Sequence, residues 1–571
     1  MRPLKLIFFV AASPAPGPLW LVRELAGMRG VILDGVVVAS GRCCSGHRKS
    51  LLKRGIYRFP GYWAERGPDL PIRQAVRAVE QAFTADYPAR AVTPASWVAW
   101  CQDFGIACDC LDADSPRSIG RELARRQPDL GIVLADGWSE TSLLQVPHLG
   151  SLQVYGGPLL PGRIAWQPGL LELLTAREHI LLTLRWWGSP ERAAGEIAAQ
   201  RLLAIEPCAT LESLAILGTQ SSLLLIREWM QNFCANQAGL IGRAPLTLPG
   251  GRGHSFHPDP QAGFANIFSG RVARQRRQRI LEMPRYRHHA SEERSGAILQ
   301  ESAQYLQSRQ AGQEHLAHRI AVGDAPIVVL YYHRTANDHG HGITLPLEEF
   351  VRQITFIHQH AEVISLDMAV RRLASGHNSR LAVAITIDDG YASDLITALP
   401  WLEMHGHPAT LFISPGLMLE RATPLGFDLL TADDVRTLRR RGFGIGSHTM
   451  WHADLGQNTG PQVDFELQRS REILEEILDE PVHHFAFPFG VHGKNITREA
   501  FLKARSVYRY LYSAYGGYNF PSRFDGVHVR RFPTPNSVLE VARLLAGLVP
   551  TWMDPEQKIP WDTPTNFIPP F

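Results

Sequence analysis

At 571 residues, the chain is too long for one ordinary domain and calls for roughly two to four. Its apolar content of 45% is that of a globular protein and excludes a wholly disordered or fibrous chain. A net charge of +3 gives no reason to expect a nucleic-acid partner, and no stretch is long and apolar enough to span a membrane.

The start, MRPLKLIFFVAASPA, combines a basic residue, a short apolar run and small residues, as a secretory leader does. The same letters fit a first parallel strand entering a small-residue loop. The strand is the better reading, because an α/β pattern continues for the next hundred residues. All seven cysteines (Cys43, Cys44, Cys101, Cys108, Cys110, Cys208 and Cys234) lie in the first half. An odd number without a regular framework reads as reduced thiols, and so as a cytoplasmic protein. Cys108 and Cys110 have no second pair at zinc-site spacing and are read as structural. Residues 221–320 form a connecting region, with a Gly/Pro/His-rich loop, LPGGRGHSFHPDPQAGF, and a basic run from Arg271 to Arg287. Such a run suits an anionic surface or a phosphate group, but is more often a solvated face or a strap between domains. ERSGAILQESAQYLQSRQAGQEHLAHRIA then reads as a helix. The tail, residues 551–571, is rich in proline and aromatic residues and reads as extended surface chain.

The chemistry sits between these. LAVAITI is β-branched, apolar and of strand length, and it ends in Asp388, Asp389 and Gly390. Further on, IGSHTMWH places His448 and His452 four residues apart. Taken singly, the Asp-Gly pair is a common turn and the histidines are surface or capping residues. Taken together they suit a mononuclear metal site. One acid and both histidines would bind the ion, and the other acid would stay free as a base. Two histidines and one carboxylate leave coordination positions open for water and substrate, as a catalytic centre requires.

From about Pro326 to about Pro535 the chain resembles the polysaccharide deacetylase family, the NodB-homology or carbohydrate esterase 4 group. The segments that carry the resemblance are PIVVLYYHR, LAVAITIDDGY, GIGSHTMWHADL, FAFPFG and VRRFPTP, in that order. The resemblance implies a distorted (β/α) barrel and one divalent metal ion, zinc by preference. It implies Asp389, His448 and His452 as metal ligands and Asp388 as the base that activates water. Pro488, Phe489 and Gly490 would wall a groove, with the Phe489 N–H helping to hold an oxyanion. Two departures stand out. Where many members carry an arginine that positions the base, this chain has Ala486, and Arg531 is the candidate replacement. No clean copy of the family's late Leu-x-His motif is present, which leaves His528 as the nearest candidate acid. His333, at the end of the first strand, either lines the site or closes the strand.

Residues from about 80 to 220 resemble the formyltransferase fold, a doubly wound Rossmann-type α/β domain. The run PDLGIVLADGWSETSLLQVPHLGSLQVYGGPLLPGRIAW carries the likeness, with Leu159-Leu160-Pro161 and Trp166 aligned. The family's Asn falls at Val154, its His at Gly156 and its later Asp at Ala193. This half therefore reads as a formyltransferase-like domain without its catalytic groups. The expected organisation is a first domain over 1–220, a connecting region over 221–320, a deacetylase domain over 321–550, and the tail. The expected activity is metal-dependent removal of an N-acyl group, acetyl above all, from an amino sugar or saccharide. The alternatives are a deformylase acting on an N-formyl sugar, and a sugar- or nucleotide-binding scaffold without turnover.

Overall fold

The computed structural model describes residues 3–11, 14–39, 70–86, 96–111, 116–134, 142–156, 178–188, 196–207, 209–235, 246–247, 292–338 and 341–548. Cys43, Cys44, Cys208, Leu159 to Pro161, Trp166, Ala193, the arginine run 271–287 and the tail 551–571 lie outside the described residues. The chain divides into two units, Met1–Leu70 with Ala91–His288, and Pro71–Arg90 with His289–Phe571.

The first unit is built on β1 (Leu4–Ala11), α1 (Pro16–Ala26) and β2 (Val31–Ala39). After α2 (Leu70–Asp86) come α3 (Trp97–Asp103), β3 (Ala107–Cys110), α4 (Pro116–Arg126), β4 (Leu130–Val133) and β5 (Ser151–Gly156). The unit ends with β6 (His179–Trp187), β7 (Ile197–Ala204), α5 (Leu211–Ala235) and β8 (Leu246–Thr247). The sheet order is β3-β2-β1-β4-β5-β6-β7-β8. The first five strands in that order pair in parallel, and β6 is antiparallel to both neighbours. An order of 3-2-1-4-5 is that of a doubly wound sheet. KLIFFVA is thus the central strand. Ile7 and Phe9 pack with Ile119 and Leu123 of α4. Leu6 and Phe8 point the other way and are equally inaccessible, so both faces are covered. Val154 and Gly156 lie on β5, opposite Leu184 and Leu182.

The second unit begins with α6 (Glu292–Ala321), β9 (Ile327–Tyr332), β10 (Arg334–Thr335), β11 (Thr344–Leu345), α7 (Leu347–His360), β12 (Glu362–Ile364) and α8 (Leu366–Ala374). It continues through β13 (Ala382–Asp388), α9 (Ala398–Met404), β14 (Ala409–Ile413), α10 (Pro415–Leu419), α11 (Ala432–Arg440) and β15 (Gly444–Ser447). Last come α12 (Gly460–Leu478), β16 (His484–Ala486), α13 (Arg498–Val507), β17 (Tyr510–Tyr512), β18 (His528–Val529), β19 (Phe532–Pro533) and α14 (Val538–Leu545). The helix starts are written in the sequence. Thr431 with Asp434 and Thr459 with Gln462 form reciprocal capping boxes at α11 and α12.

The strand order is β18-β17-β16-β15-β14-β13-β9-β19, with β12 also against β13, and every pairing is parallel. β18 and β19 stand at opposite ends of this order, yet only Arg530 and Arg531 separate them in the chain. The two ends must therefore come near one another, and the sheet curls round into an open barrel whose ends are bridged by this segment. Ala382, Ala384, Phe412, Ala486, Tyr512 and Val529 face inward and pack on Ala369, Val370 and Leu373 of α8.

The boundaries expected at residues 220 and 320 differ from this division. Helix α2, read as part of the first domain, clusters with the second unit, as does α6. Phe83 of α2 meets Phe356 of α7 with ring centroids 5.1 Å apart, and Arg309 of α6 pairs with Asp86 at 3.1 Å. The apolar stripes of both helices find cover only in contacts distant along the chain, which local pattern does not reveal.

Candidate active site

The polar groups gather at the C-terminal ends of the barrel strands, where parallel α/β barrels present their working loops. Asp388 is the last residue of β13, two places beyond Thr386 and four beyond Ala384, so its side chain follows theirs into the barrel. Asp389 comes next with φ of 69°, a left-handed backbone that few non-glycine residues adopt. His448 follows β15 directly. The four residues to His452 are not helical: Thr449 and His452 have φ of 62° and 56°. Phe489 has φ of 61°. Four of the eight left-handed non-glycine residues among those described therefore surround one mouth, and strain of this kind persists only where neighbouring contacts enforce it.

Those contacts are specific. Ser414 Oγ donates to the His448 carbonyl at 2.7 Å, and Gly416 N–H donates to the Met450 carbonyl at 2.9 Å. A Cβ on Gly416 would stand 2.6 Å from that carbonyl oxygen, so only glycine fits. Trp451 N–H donates to the buried Glu466 carboxylate of α12 at 3.0 Å. Gly490 has φ of 53°, and a Cβ there would stand 2.7 Å from the Ala514 backbone nitrogen.

Asp389, His448 and His452 offer ligand atoms that all lie within 4.8 Å of one another. His452 Nε2 faces Asp389 Oδ1 at 3.3 Å, and His448 Nε2 faces the same oxygen at 3.6 Å. His448 Nδ1 lies 2.7 Å from the Ala486 carbonyl. A carbonyl only accepts, so Nδ1 carries the proton and Nε2 turns its lone pair toward Asp389. Burial pushes His448 down to about 4, leaving the ring neutral at ordinary pH. Burial also opposes charge on His452, but contact with Asp389 outweighs it and raises that imidazole. For Asp389, burial alone would raise the acid. Contact with His452 and the charges of His452, His333 and His448 prevail and hold it well below the ordinary carboxylate range. Burial, with the Asp389 charge beside it, pushes the Tyr391 hydroxyl up.

A divalent cation fits this set. Asp389 Oδ1 is buried and has no hydrogen-bond partner, although two imidazole nitrogens face it. A tetrahedral ion with bonds of 2.0–2.1 Å has ligands about 3.4 Å apart, close to the two separations seen.

Asp388 is kept apart from that cluster. Arg531 grips it with both arms, Nη1 to Oδ1 at 2.7 Å and Nη2 to Oδ2 at 2.9 Å. The guanidinium is fully buried. It also donates to Thr386 Oγ1 and to the Ser513 carbonyl, each at 3.1 Å, and lies over the rings of Tyr331 and Phe412. Arg531 thus brings a positive charge to Asp388 from the segment between β18 and β19.

His528 stands elsewhere. Its neighbour Val529 faces the barrel interior, so His528 faces outward, toward Phe501 of α13. Its Nε2 meets Ser513 Oγ at 2.9 Å, and burial pushes the ring down to about 3. The ring read as a candidate acid is thus directed into the helix layer, and the structure does not bring it to the Asp389 cluster. His333, just past β9, is near enough for its charge to act on Asp389. The Phe489 ring is exposed and meets His452 edge-on at 5.0 Å. Sequence reading passed over Tyr391 and Glu466. Tyr391 directly follows the Asp-Asp-Gly run and could have been found there. Nothing in the spacing pointed to Glu466.

Residues 375–504 match the family model described as polysaccharide deacetylase. A curated relative, "Putative polysaccharide deacetylase YxkH" of Bacillus subtilis (strain 168), is 24% identical over 178 residues, or 31% of this chain. The chain spans 61% of the length of that relative. Among solved structures, the Streptococcus pyogenes deacetylase PplD, in complex with acetate, is 19% identical with a TM-score of 0.35. That match covers 40% of this chain and 100% of the other. The phosphoribosylglycinamide formyltransferase of Anaplasma phagocytophilum is 12% identical with a TM-score of 0.25, over 40% of this chain and 88% of the other.

Proposed function

We propose that the second unit is a metal-dependent hydrolase that removes an N-acyl group, most readily acetyl, from an amino sugar within a saccharide. The observation that carries this reading is the pairing of two unlike acids. Asp389 faces two imidazoles across an orphaned oxygen, and Asp388, one residue away, is held off by Arg531. The family match over residues 375–504 supports the substrate class.

Asp389, His448 and His452 would hold one divalent ion, zinc in this reading. When bound it supplies Lewis-acid polarisation of the acyl carbonyl and a lowered pKa for water. The chain's own groups do the rest. Asp388 takes the proton from the attacking water, and the two hydrogen bonds from Arg531 fix the plane of its carboxylate. The Phe489 N–H donates to the oxyanion as the carbonyl carbon becomes tetrahedral. In this reading His333, whose charge acts on Asp389, protonates the departing amine. The exposed Phe489 ring offers an apolar wall for a sugar face.

The first unit, with Val154 and Gly156 on β5 where formyl-transfer groups would stand, is proposed as a domain without formyl-transfer chemistry. A reducing, cytoplasmic setting belongs to the same proposal and rests on the odd number of cysteines, seven, without a regular framework.

The test is metal content of the purified chain, paired with acetate and formate release from a panel of N-acyl amino sugars and oligosaccharides. Stoichiometric metal with release of acetate supports the reading. Release of formate alone replaces acetyl with formyl. A chain that takes up no metal under replete conditions refutes it.

A further inference from the structure

The left-handed loop that carries His452 is built against one buried acid. Glu466 projects from the second turn of α12 and is almost inaccessible. It accepts the Trp451 N–H at 3.0 Å, and the neighbouring Met450 N–H and Thr449 hydroxyl favour its charged form. Thr449 Oγ1 in turn accepts the Ala453 N–H at 2.9 Å. The loop between the two histidines is therefore tied by its backbone to one carboxylate, with Met450 and Thr449 acting on the same group. The loop's carbonyls are taken up elsewhere, by Ser414 and Gly416. No helix or strand supplies these donors with partners, since residues 448–452 lie in neither. Two residues of the loop, Thr449 and His452, hold φ values that an unconstrained chain would leave.

From this geometry we infer that Glu466 is a positioning residue for metal binding, holding the Thr449–His452 loop so that His452 Nε2 faces Asp389. The inference rests on the metal reading of Asp389, His448 and His452. Glu466 acts through the backbone between the two histidines, at the Trp451 N–H, rather than on the ligand side chains. Its role is that of the outer groups behind metal ligands, whose removal typically costs about 10–100-fold in metal affinity.

The experiment loads the full chain with Co(II), whose visible d–d bands report ligand geometry, and measures affinity by competition with a chelator. Glu466→Ala is expected to bind about 10–100-fold more weakly and to shift the d–d bands. Glu466→Gln keeps one acceptor oxygen for the loop N–H groups but not the charge, and should lose only about two- to tenfold in affinity. A wild-type chain that binds no cobalt would sink the metal reading itself. Wild-type binding with an unchanged affinity and spectrum in Glu466→Ala would overturn this inference alone. If Glu466→Ala does not fold, Glu466→Gln decides. A fall of two- to tenfold in affinity at unchanged metal-free melting temperature supports the role, and no change in affinity or bands overturns it.

Discussion

Replacing Arg531 with Met would remove a guanidinium that is fully buried and leave the nearly inaccessible Asp388 carboxylate without its partner. Four hydrogen bonds would go: two to Asp388 and one each to Thr386 and Ser513. Removing one member of a buried ion pair costs roughly 3–5 kcal/mol, mostly because the other charge stays behind unpaired. For a unit of this size each kcal/mol moves the melting temperature by about 2–4 °C, so a fall of roughly 10 °C is expected. Calorimetry of the full chain, with and without zinc, identifies the relevant transition as the one zinc shifts. Turnover should fall by about 100-fold, because a base displaced by even an ångström loses its line to the water. Arg531→Lys keeps a charge without the fork and should fall between the two. The double change Arg531→Met with Asp388→Asn should melt above Arg531→Met alone, since no unpaired charge remains. An Arg531→Met protein that melts within about 2 °C of wild type and keeps its turnover would refute the claim that this pair anchors the base.

Further expectations concern the site and its support. Asp388→Asn should abolish acyl release while leaving metal content unchanged, whereas His448→Ala and His452→Ala should each lose the metal; retained turnover in Asp388→Asn would remove it as the base. Gly490→Ala should destabilise by at least about 1–2 kcal/mol, because alanine disfavours the left-handed φ and its Cβ would meet Ala514; unfolding in urea measures this. Burial pushes His405 down to about 4, and burial with the neighbouring His358 and His405 pushes His407 down to about 3. These rings are neutral in the folded chain but take protons near pH 6.5 when unfolded. Stability should therefore be complete above pH 7 and fall as pH drops below 6.5 toward the folded values. Each contributes roughly 1–2 kcal/mol between pH 7 and pH 5. His407→Gln should flatten that slope in melting curves taken from pH 7 to 5, and an unchanged slope would count against the assignment.

Much of this architecture was visible in the letters because it is local. LAVAITI is apolar on both faces, as a central parallel strand must be, and its terminal acids fall where such a strand meets its loop. His448 and His452 were legible as a pair, although their spacing of four suggests a helix and the chain instead makes a strained loop. What stayed hidden depends on pairs far apart in sequence. Arg531 reaches Asp388 across 143 positions, and only the curling of the barrel explains how. The outward turn of His528 follows from one position of strand register, which a two-residue strand does not announce. Helix α2 looked like part of the first half because nothing in its own pattern tells it to pack on α7.

The bridge at Arg531 also bears on how the protein is made. Strands β9 and β13 are synthesised early, yet β9 gains its outer partners, Asn519 and then β19, only near the end of the unit. Until then the nascent sheet has two open edges, the condition most prone to joining a neighbouring chain. The segment that bridges those edges carries the residue that orients Asp388. A ribosome halted short of Arg531 would thus release a chain that is both sticky and inert, and the barrel cannot become competent before its two ends are bridged.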